Sequence, residues 1–430
     1  MANKNQKYTP DELFQAAEKL ASDYSLFQGE TSPSIASPIE GLASAGYINK
    51  RVQQLNQLDV DGYIAAALEP AEVKKRFSAS KVIESIPGKV VHERKDGALY
   101  SAEIDIEMPY GVRRVGFLAQ NREVDNGVWK PQHHLDAVKI VRDFSDHGVP
   151  VVTFIDTPGA DAGAEANAAN QAHSISRLIA EMCNTHVPTV GIIYGLGYSG
   201  GAIPLASTNV LLALETGVFN TIQPQGLANI AKQYGLSWQE SARYVGLSSW
   251  ELAKRGSIDG VVRWSPENDL DDIGKLLKTI TSAIVSIEKA SANFTVEHPE
   301  IMRHYQRSVE RFVNPSPALK TSSEIDAFSS AKGASQFPGV FGHSCRYLRY
   351  IGLRRRISSS NLRSYGRLAN EELPKGDLAE RTLKSQEFAF SQWFEDSEKL
   401  IYIDTICKAF KGFVQRRNEI GADRNRLAKL

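Results

Sequence analysis

The chain has 430 residues, of which 42% are hydrophobic and 23% charged, with 50 basic and 50 acidic side chains, a balance typical of a globular protein. This length predicts two or three domains, and zero net charge argues against a dedicated nucleic-acid-binding protein. No apolar run is long enough to predict a membrane span, and the opening stretch MANKNQKYTPDELFQ lacks the apolar core of a signal peptide. Only three cysteines occur, far apart, which excludes a disulfide framework or a Cys-x-x-Cys zinc site and favours a reduced, cytoplasmic setting.

Residues 1–78 form a predicted helical extension. A Thr-Pro start with acidic residues in the first turn predicts a helix over 9–27, and a second helical pattern covers 59–77. The Ser/Pro/Gly-rich stretch 29–41 between them predicts a loop.

Residues 79–265 change character, because short β-branched runs now alternate with helical stretches. Helices are predicted over 133–148 and 168–184. The later strands are almost wholly apolar and separated by helices, which predicts a buried parallel sheet and an α/β fold. The six predicted strands cover residues 89–94, 100–108, 112–120, 149–156, 187–195 and 210–216.

Residues 266–430 form a predicted, mainly helical C-terminal region, with one helix over 271–290. Within it, residues 346–367 carry seven arginines and no acid. Two interpretations stay open for this Arg-rich segment: a solvated surface paired with acidic helices, or an anion site for coenzyme A phosphates or an acidic partner.

Two glycine-rich turns stand out in the central region. The stretch Phe154–Ala160, FIDTPGA, follows one buried strand, and Gly195–Ala202, GLGYSGGA, follows the next. A parallel strand that feeds a glycine turn and a helix places backbone N–H groups at the carboxyl edge of the sheet. Two such units side by side would suit an enzyme that stabilises an oxyanion.

The second turn also contains Gly197-x-Ser199-x-Gly201, the spacing of a nucleophile elbow. A serine hydrolase would need a histidine and an acid, for which His173, His186 and Asp156 are candidates. The alternative is that Ser199 caps the following helix or contacts a ligand while the main chain carries the chemistry.

The two turns, in this order and at this spacing, resemble the α-type half of the biotin-dependent acyl-CoA carboxyltransferases, including the carboxyltransferase α subunit of acetyl-CoA carboxylase. The segment SARYVGLSSWELAKRGSIDGVV, residues 241–262, resembles the family's helix that leads to Gly-x-Ile-Asp-x-Val, and the whole resemblance covers roughly residues 110–265. It implies a crotonase-like α/β fold of repeated ββα units, with the N- and C-terminal helical regions as extensions.

The resemblance also implies a site. The N–H groups of Gly159 and Ala160 would hold the ureido oxygen of biotin, and the turn with Gly200 and Gly201 would complete the catalytic part of the pocket. A side-chain base and a metal ion are not required. The implied biotin-contacting residues around these positions are Thr157, Pro158, Gly197, Tyr198, Ser199 and Ala202.

The sequence departs from the family pattern near these turns. Leu196 stands where the family usually has an acid, Tyr198 where it has glycine, and Asp161-Ala162 where it has Tyr-Pro. A later segment reads Gln223-Pro-Gln-Gly226 in place of Ser-Pro-Glu-Gly. These changes leave the acyl substrate and the retention of activity open.

The function implied is transfer of a carboxyl group from carboxybiotin to an acyl-CoA. No methionine is followed by lysine, so a Met-Lys-Met biotinylation site is not expected. The implied partners are a β-type carboxyltransferase subunit, a biotin carboxyl carrier protein and a biotin carboxylase, with no nucleic acid. Two alternatives are a biotin-independent acyl-CoA decarboxylase, hydratase or hydrolase of the same fold, and a non-catalytic structural subunit.

Overall fold

The computed structural model describes residues 32–72, 76–230, 237–265, 270, 272–297, 342–353, 355 and 356. In chain order, its helices are α1 Ala45–Gln57, α2 Val60–Ala67, α3 Glu69–Glu72, α4 Ala79–Glu84, α5 Pro131–Asp146, α6 Ala164–Ala168, α7 Gln171–Asn184, α8 Ser199–Ala206, α9 Pro224–Ile230, α10 Trp238–Val245, α11 Ser249–Arg255, α12 Ile273–Glu297 and α13 342–353. The strands are β1 Lys89–Asp96, β2 Leu99–Met108, β3 Gly111–Gln120, β4 Val151–Thr157, β5 Thr189–Tyr198, β6 Val210–Leu214, β7 Val218–Asn220 and β8 Gly260–Val262.

These strands form one sheet in the order β1-β2-β3-β4-β5-β6-β8, and β7 pairs with the end of β5. The first three strands are antiparallel, whereas β3, β4, β5, β6 and β8 run parallel. The α/β prediction is confirmed, but the sheet is mixed rather than wholly parallel. The reason is that β2 and β3 are joined by the two-residue turn at 109–110, which is too short for a crossover.

The core lies on both faces of the sheet, because successive side chains of each buried strand point to opposite sides. On one face Ile155 and Ile193 pack with residues of α1, α2, α5, α7, α8 and α11. On the other face Phe154 and Ile192 pack with residues of α4, α12 and α13. The sheet is therefore covered by helices on both sides, as buried parallel strands require.

The predicted elements match the structure closely. All six predicted strands are present, while the predicted helix over 59–77 is divided into α2 and α3, and the helix over 271–290 continues to Glu297. Residues 32–41 contain no helix or strand, as expected for the connector, and the next residue, Leu42, forms an isolated β-bridge with Val262. The predicted helix over 9–27 lies outside the described residues, and the domain divisions at 78 and 265 stay predictions.

None of the described helices combines the length and apolar character that crossing a membrane requires.

Candidate active site

The two predicted turns lie side by side at the carboxyl edge of the sheet. Strands β4 and β5 are parallel neighbours, and their register ends with Thr157 opposite Gly197. The chain then leaves β4 through Pro158–Gly163 and leaves β5 directly into α8. The fold thus brings together the two segments that the sequence singled out, at the edge where parallel sheets present ligand sites.

The main chains of the two turns touch at Gly159 and Gly201. A Cβ atom on Gly201 would lie 2.5 Å from the Gly159 carbonyl carbon and 2.7 Å from the Ala160 nitrogen, closer than such atoms approach in proteins. Gly159 has φ +144°, a conformation essentially confined to glycine. Glycine is therefore required at both positions, one for contact and one for conformation.

Some backbone N–H groups of this site already donate to protein acceptors that the structure describes, and others do not. The Gly159 N–H donates to Thr157 Oγ1 at 3.2 Å, and the Thr157 hydroxyl lies 2.8 Å from the Gly159 oxygen. Among the described residues, none accepts a hydrogen bond from the Ala160 N–H. No side chain caps the N-terminus of α8 at Ser199, where helical N–H groups lack intrahelical partners.

Ser199 adopts the left-handed conformation, with φ +58°, at the junction of β5 and α8. This strand-turn-helix geometry is that of an elbow, and it is uncommon for a residue other than glycine. The residue is partly exposed, and its Cβ lies 3.7 Å from where a Cβ on Gly159 would stand. Ser199 and Gly200 therefore form the open side of the site, and Gly201 and Ala202 its buried side.

The hydrolase alternative lacks its acid. Asp156 is fully buried, pairs with Arg76, and accepts the Leu196 N–H at 3.1 Å. His186 is held instead against His343, with ring centroids 5.1 Å apart, and its backbone N–H donates to Ser145 Oγ. Neither His186 nor Asp156 is thus arranged as a triad with Ser199, and the third candidate, His173, is exposed on α7.

Tyr198 is 3% exposed and belongs to the hydrophobic core together with Leu196 and Ala202. Burial raises the pKa of its phenol above the ordinary value, and no described residue hydrogen-bonds the hydroxyl. The side chain that departs from the family pattern therefore fills the core beneath the turn, and only its main chain borders the site.

Two other departures act on the turns. Asp161 Oδ1 accepts the Gly163 N–H at 2.8 Å, which makes it a turn-stabilising residue. The Gln223 amide donates to the Pro158 oxygen, so the loop before α9 is tied to the first turn. Both polar side chains thus stabilise main chain of the site.

Sequence reasoning missed two buried polar residues under the turns. Gln120 is fully buried at the end of β3, where its Nε2 donates to the Gly201 oxygen at 2.7 Å and its Oε1 accepts the Asp156 N–H at 3.1 Å. Arg76 Nη2 lies 2.7 Å from Asp156 Oδ1, with its guanidinium over the Tyr194 ring. The only sequence signal for Gln120 was one amide at the end of an apolar strand.

The described histidines of α5 and α7 lie in separate structural surroundings. His134 is buried in the first turn of α5 against Trp129, and burial lowers its pKa to about 4. His133 Nδ1 accepts the Lys130 N–H, and His173 is exposed on α7. No group of three or more metal-ligating side chains occurs among the residues that the structure describes.

The described part of the Arg-rich segment is structural. Arg349 is fully buried and donates to the carbonyl oxygens of Met182, Thr185 and Val187 and to the Asn209 side chain. Arg355 and Arg356 both pair with Asp259. Neither open interpretation describes these three arginines, because they donate to buried groups of the chain itself. Arg354, Arg363 and Arg367 lie outside the described residues.

The fold and the site define an α/β protein with two apposed glycine turns at the carboxyl edge of a mixed sheet. The family model described as "Acetyl co-enzyme A carboxylase carboxyltransferase-like" matches residues 114–313. Transcarboxylase 12S, a solved structure, is similar with 18% identity and a TM-score of 0.43, over 54% of this chain and 44% of that one.

Two curated relatives are acetyl-coenzyme A carboxylase carboxyl transferase subunits alpha. The protein from Paramagnetospirillum magneticum is 38% identical over 32% of this chain and 43% of its own length. The one from Streptococcus thermophilus is 32% identical over 41% of this chain and 67% of its own length. The chain thus spans less than half of the first relative and about two thirds of the second. It belongs to the acetyl-CoA carboxylase carboxyltransferase α family, and its mixed sheet with helices on both faces has the expected α/β architecture.

Proposed function

We propose that this chain is the α-type half of a biotin-dependent acyl-CoA carboxyltransferase and provides the biotin-side oxyanion site. The observation that carries the proposal is the contact of Gly201 with the Gly159–Ala160 main chain, which sets an unused N–H beside an uncapped helix N-terminus. Such preorganised donors stabilise an oxygen on which negative charge develops.

The hydrogen bonds within the turns suggest which N–H groups are available to the oxyanion. Because the Gly159 N–H already donates to Thr157 Oγ1, we assign the Ala160 N–H and the first N–H groups of α8, at Ser199 and Gly200, to the oxyanion. The positive end of the α8 dipole adds to the attraction. One such donor contributes about 2.7–4 kcal/mol to transition-state stabilisation.

The first turn fits a flat ureido ring, because Gly159 places no side chain beside the Ala160 N–H. Biotin, brought by a separate carrier protein, would supply the carboxyl group and a ring nitrogen able to act as base. The chain's own part is to orient the ureido oxygen toward its N–H groups. The buried floor of Tyr198 and Ala202 supports the turn from below.

The proposal requires partners. A β-type subunit would hold the acyl-CoA and its enolate oxygen, a biotin carboxyl carrier protein would deliver the carboxyl group, and a biotin carboxylase would load it. The setting proposed for this assembly is the cytoplasm.

The test is reconstitution of the full chain with a β-type subunit, followed by transfer of the carboxyl group from a carboxylated acyl-CoA to free biotin. We expect transfer only when both chains are present, and Gly159→Val to lower its rate about 100-fold or more. Full activity of Gly159→Val would contradict the oxyanion assignment. Activity of the isolated chain on an acyl-CoA without biotin would favour the self-contained enzyme, and no activity with any β-type subunit would favour a structural subunit.

A further inference from the structure

Gln120 connects three segments that are distant in sequence. It ends β3, and its amide reaches Asp156, just before the first glycine turn, and Gly201, in the first turn of α8. The side chain is fully buried, and both of its polar atoms are used. One amide therefore joins the strand end to both halves of the site.

Backbone hydrogen bonds alone do not connect the end of β3 to Asp156. The β3–β4 pairing ends at Ala119 opposite Phe154, so Asp156 lies beyond the ladder and its N–H is accepted by the Gln120 side chain. The Gln120 amide supplies the link that regular secondary structure does not.

We propose that Gln120 is a positioning residue that sets the distance between the two glycine turns and so aligns the Ala160 N–H with the N-terminus of α8. The catalytic part of this inference rests on the proposed function, whereas the positioning part does not. A displacement of about 1 Å between catalytic groups lowers a rate about 100-fold.

The chemistry of the amide makes the proposal specific. Glutamine offers one acceptor and one donor, which match the Asp156 N–H and the Gly201 oxygen. Gln120→Glu keeps the acceptor and loses the donor, and sets a carboxylate against the Gly201 oxygen. Gln120→Met keeps the length, stays neutral and loses both bonds, so it covers the case in which a buried charge prevents folding.

The chain offers a matched control in Gln171. This residue is 4% exposed, and its Nε2 donates to the Trp129 oxygen at 3.0 Å, so it is also a buried amide bonded to a carbonyl. Gln171→Glu and Gln171→Met repeat the substitutions at a buried amide that hydrogen-bonds neither glycine turn.

The first measurement is amide hydrogen exchange of the full chain, which needs no activity. For both Gln120 variants we expect about tenfold faster exchange in segments 157–163 and 199–206 than in the Gln171 variants, with segment 210–214 unchanged. Unchanged exchange in the two turns, or an equal increase throughout the chain, would overturn the positioning role.

The second measurement is carboxyl transfer to free biotin with the β-type subunit. We expect kcat of the Gln120 variants to fall about 100-fold while the KM values for biotin and the acyl-CoA change less than about threefold. A kcat equal to that of the Gln171 variants would overturn the catalytic part. An inactive wild-type assembly would instead count against the proposed function, and the exchange data would still decide the positioning role.

Discussion

The Arg76 guanidinium and the Asp156 carboxylate form an ion pair under the two glycine turns, with side chains 3% and 0% exposed and 2.7 Å between Nη2 and Oδ1. Asp156 directly precedes Thr157-Pro158-Gly159, and its Oδ1 also accepts the Leu196 N–H from the adjacent strand. The pair therefore ties together the ends of the two strands that carry the site.

Removing one partner of this pair is expected to destabilise the chain strongly. Asp156→Asn leaves the Arg76 guanidinium buried without a carboxylate and should lower the free energy of unfolding by about 3–5 kcal/mol in urea denaturation. Arg76→Met should cost less, because Arg122 Nη1 still lies 3.7 Å from Asp156 Oδ1. The control is Lys81→Met, which breaks a pair with Glu123 whose side chains are 51% and 47% exposed and which should cost less than about 1 kcal/mol. Equal losses for the buried and the exposed pair would refute this expectation.

A methyl group at Gly201 should separate the turns. Gly201→Ala is expected to lower the free energy of unfolding by about 1–3 kcal/mol, because the new Cβ overlaps the Gly159 main chain and forces it away. Carboxyl transfer should fall about 100-fold in the same variant. Gly274→Ala, on α12, meets no atom within 4 Å and serves as the matched control, with a gain of about 0.5–1 kcal/mol. Wild-type stability and transfer in Gly201→Ala would show that the turns tolerate separation.

Ser199 distinguishes main-chain from nucleophilic chemistry. If the main-chain N–H groups stabilise the oxyanion, Ser199→Ala should keep the rate of carboxyl transfer within about tenfold of wild type. Loss of a serine nucleophile would instead lower kcat on the order of a millionfold. Ser199→Gly should preserve transfer and leave the free energy of unfolding unchanged or raised by up to about 1 kcal/mol, because φ +58° is free of strain in glycine. Near-complete loss of turnover in both variants would favour the interpretation of Ser199 as the nucleophile of a hydrolase.

Stability should fall as the pH drops below neutrality, in part through His134. Burial lowers its pKa to about 4 from an ordinary value of 6.5, so between these values the unfolded chain binds a proton that the folded chain does not. The stability contribution is complete above pH 6.5 and is lost as the pH falls toward 4, with about 1 kcal/mol gone by pH 5.5. Urea denaturation at pH 7 and at pH 5.5 measures it.

His134→Gln should reduce that pH dependence by about 1 kcal/mol. His147→Gln is the control, since His147 is exposed and its backbone contact with Asp143 raises its pKa, which gives the opposite sign. An unchanged pH dependence in His134→Gln would assign the effect to other groups.

The sequence predicted the elements with long patterns and missed those that depend on distant contacts. The strands of the central region were found because their apolar runs are long, whereas β7 and β8 have three residues each and show no period. The two glycine turns were placed correctly because consecutive parallel strands are usually neighbours.

The supporting residues of the site could not be predicted in the same way. Gln120 reaches Gly201 across 81 positions of sequence, and Arg76 reaches Asp156 across 80. Local composition also gave no measure of burial for Arg349, which looked like a surface charge in an Arg-rich stretch and is fully buried. Partners at such separations follow from the tertiary fold, which periodicity does not encode.

Arg349 forms hydrogen bonds with segments that are synthesised long before it. It donates to the Val187 oxygen just before β5 and to Asn209 just before β6, and so fastens the beginnings of two central strands. A ribosome that has completed β6 at Leu214 must still add the residues up to 349, at about 5–20 residues per second. For a time on the order of ten seconds the carbonyl groups of Met182, Thr185 and Val187 lack this guanidinium. During synthesis, the segments before β5 and β6 therefore gain these buried hydrogen bonds only after the chain has been extended as far as residue 349.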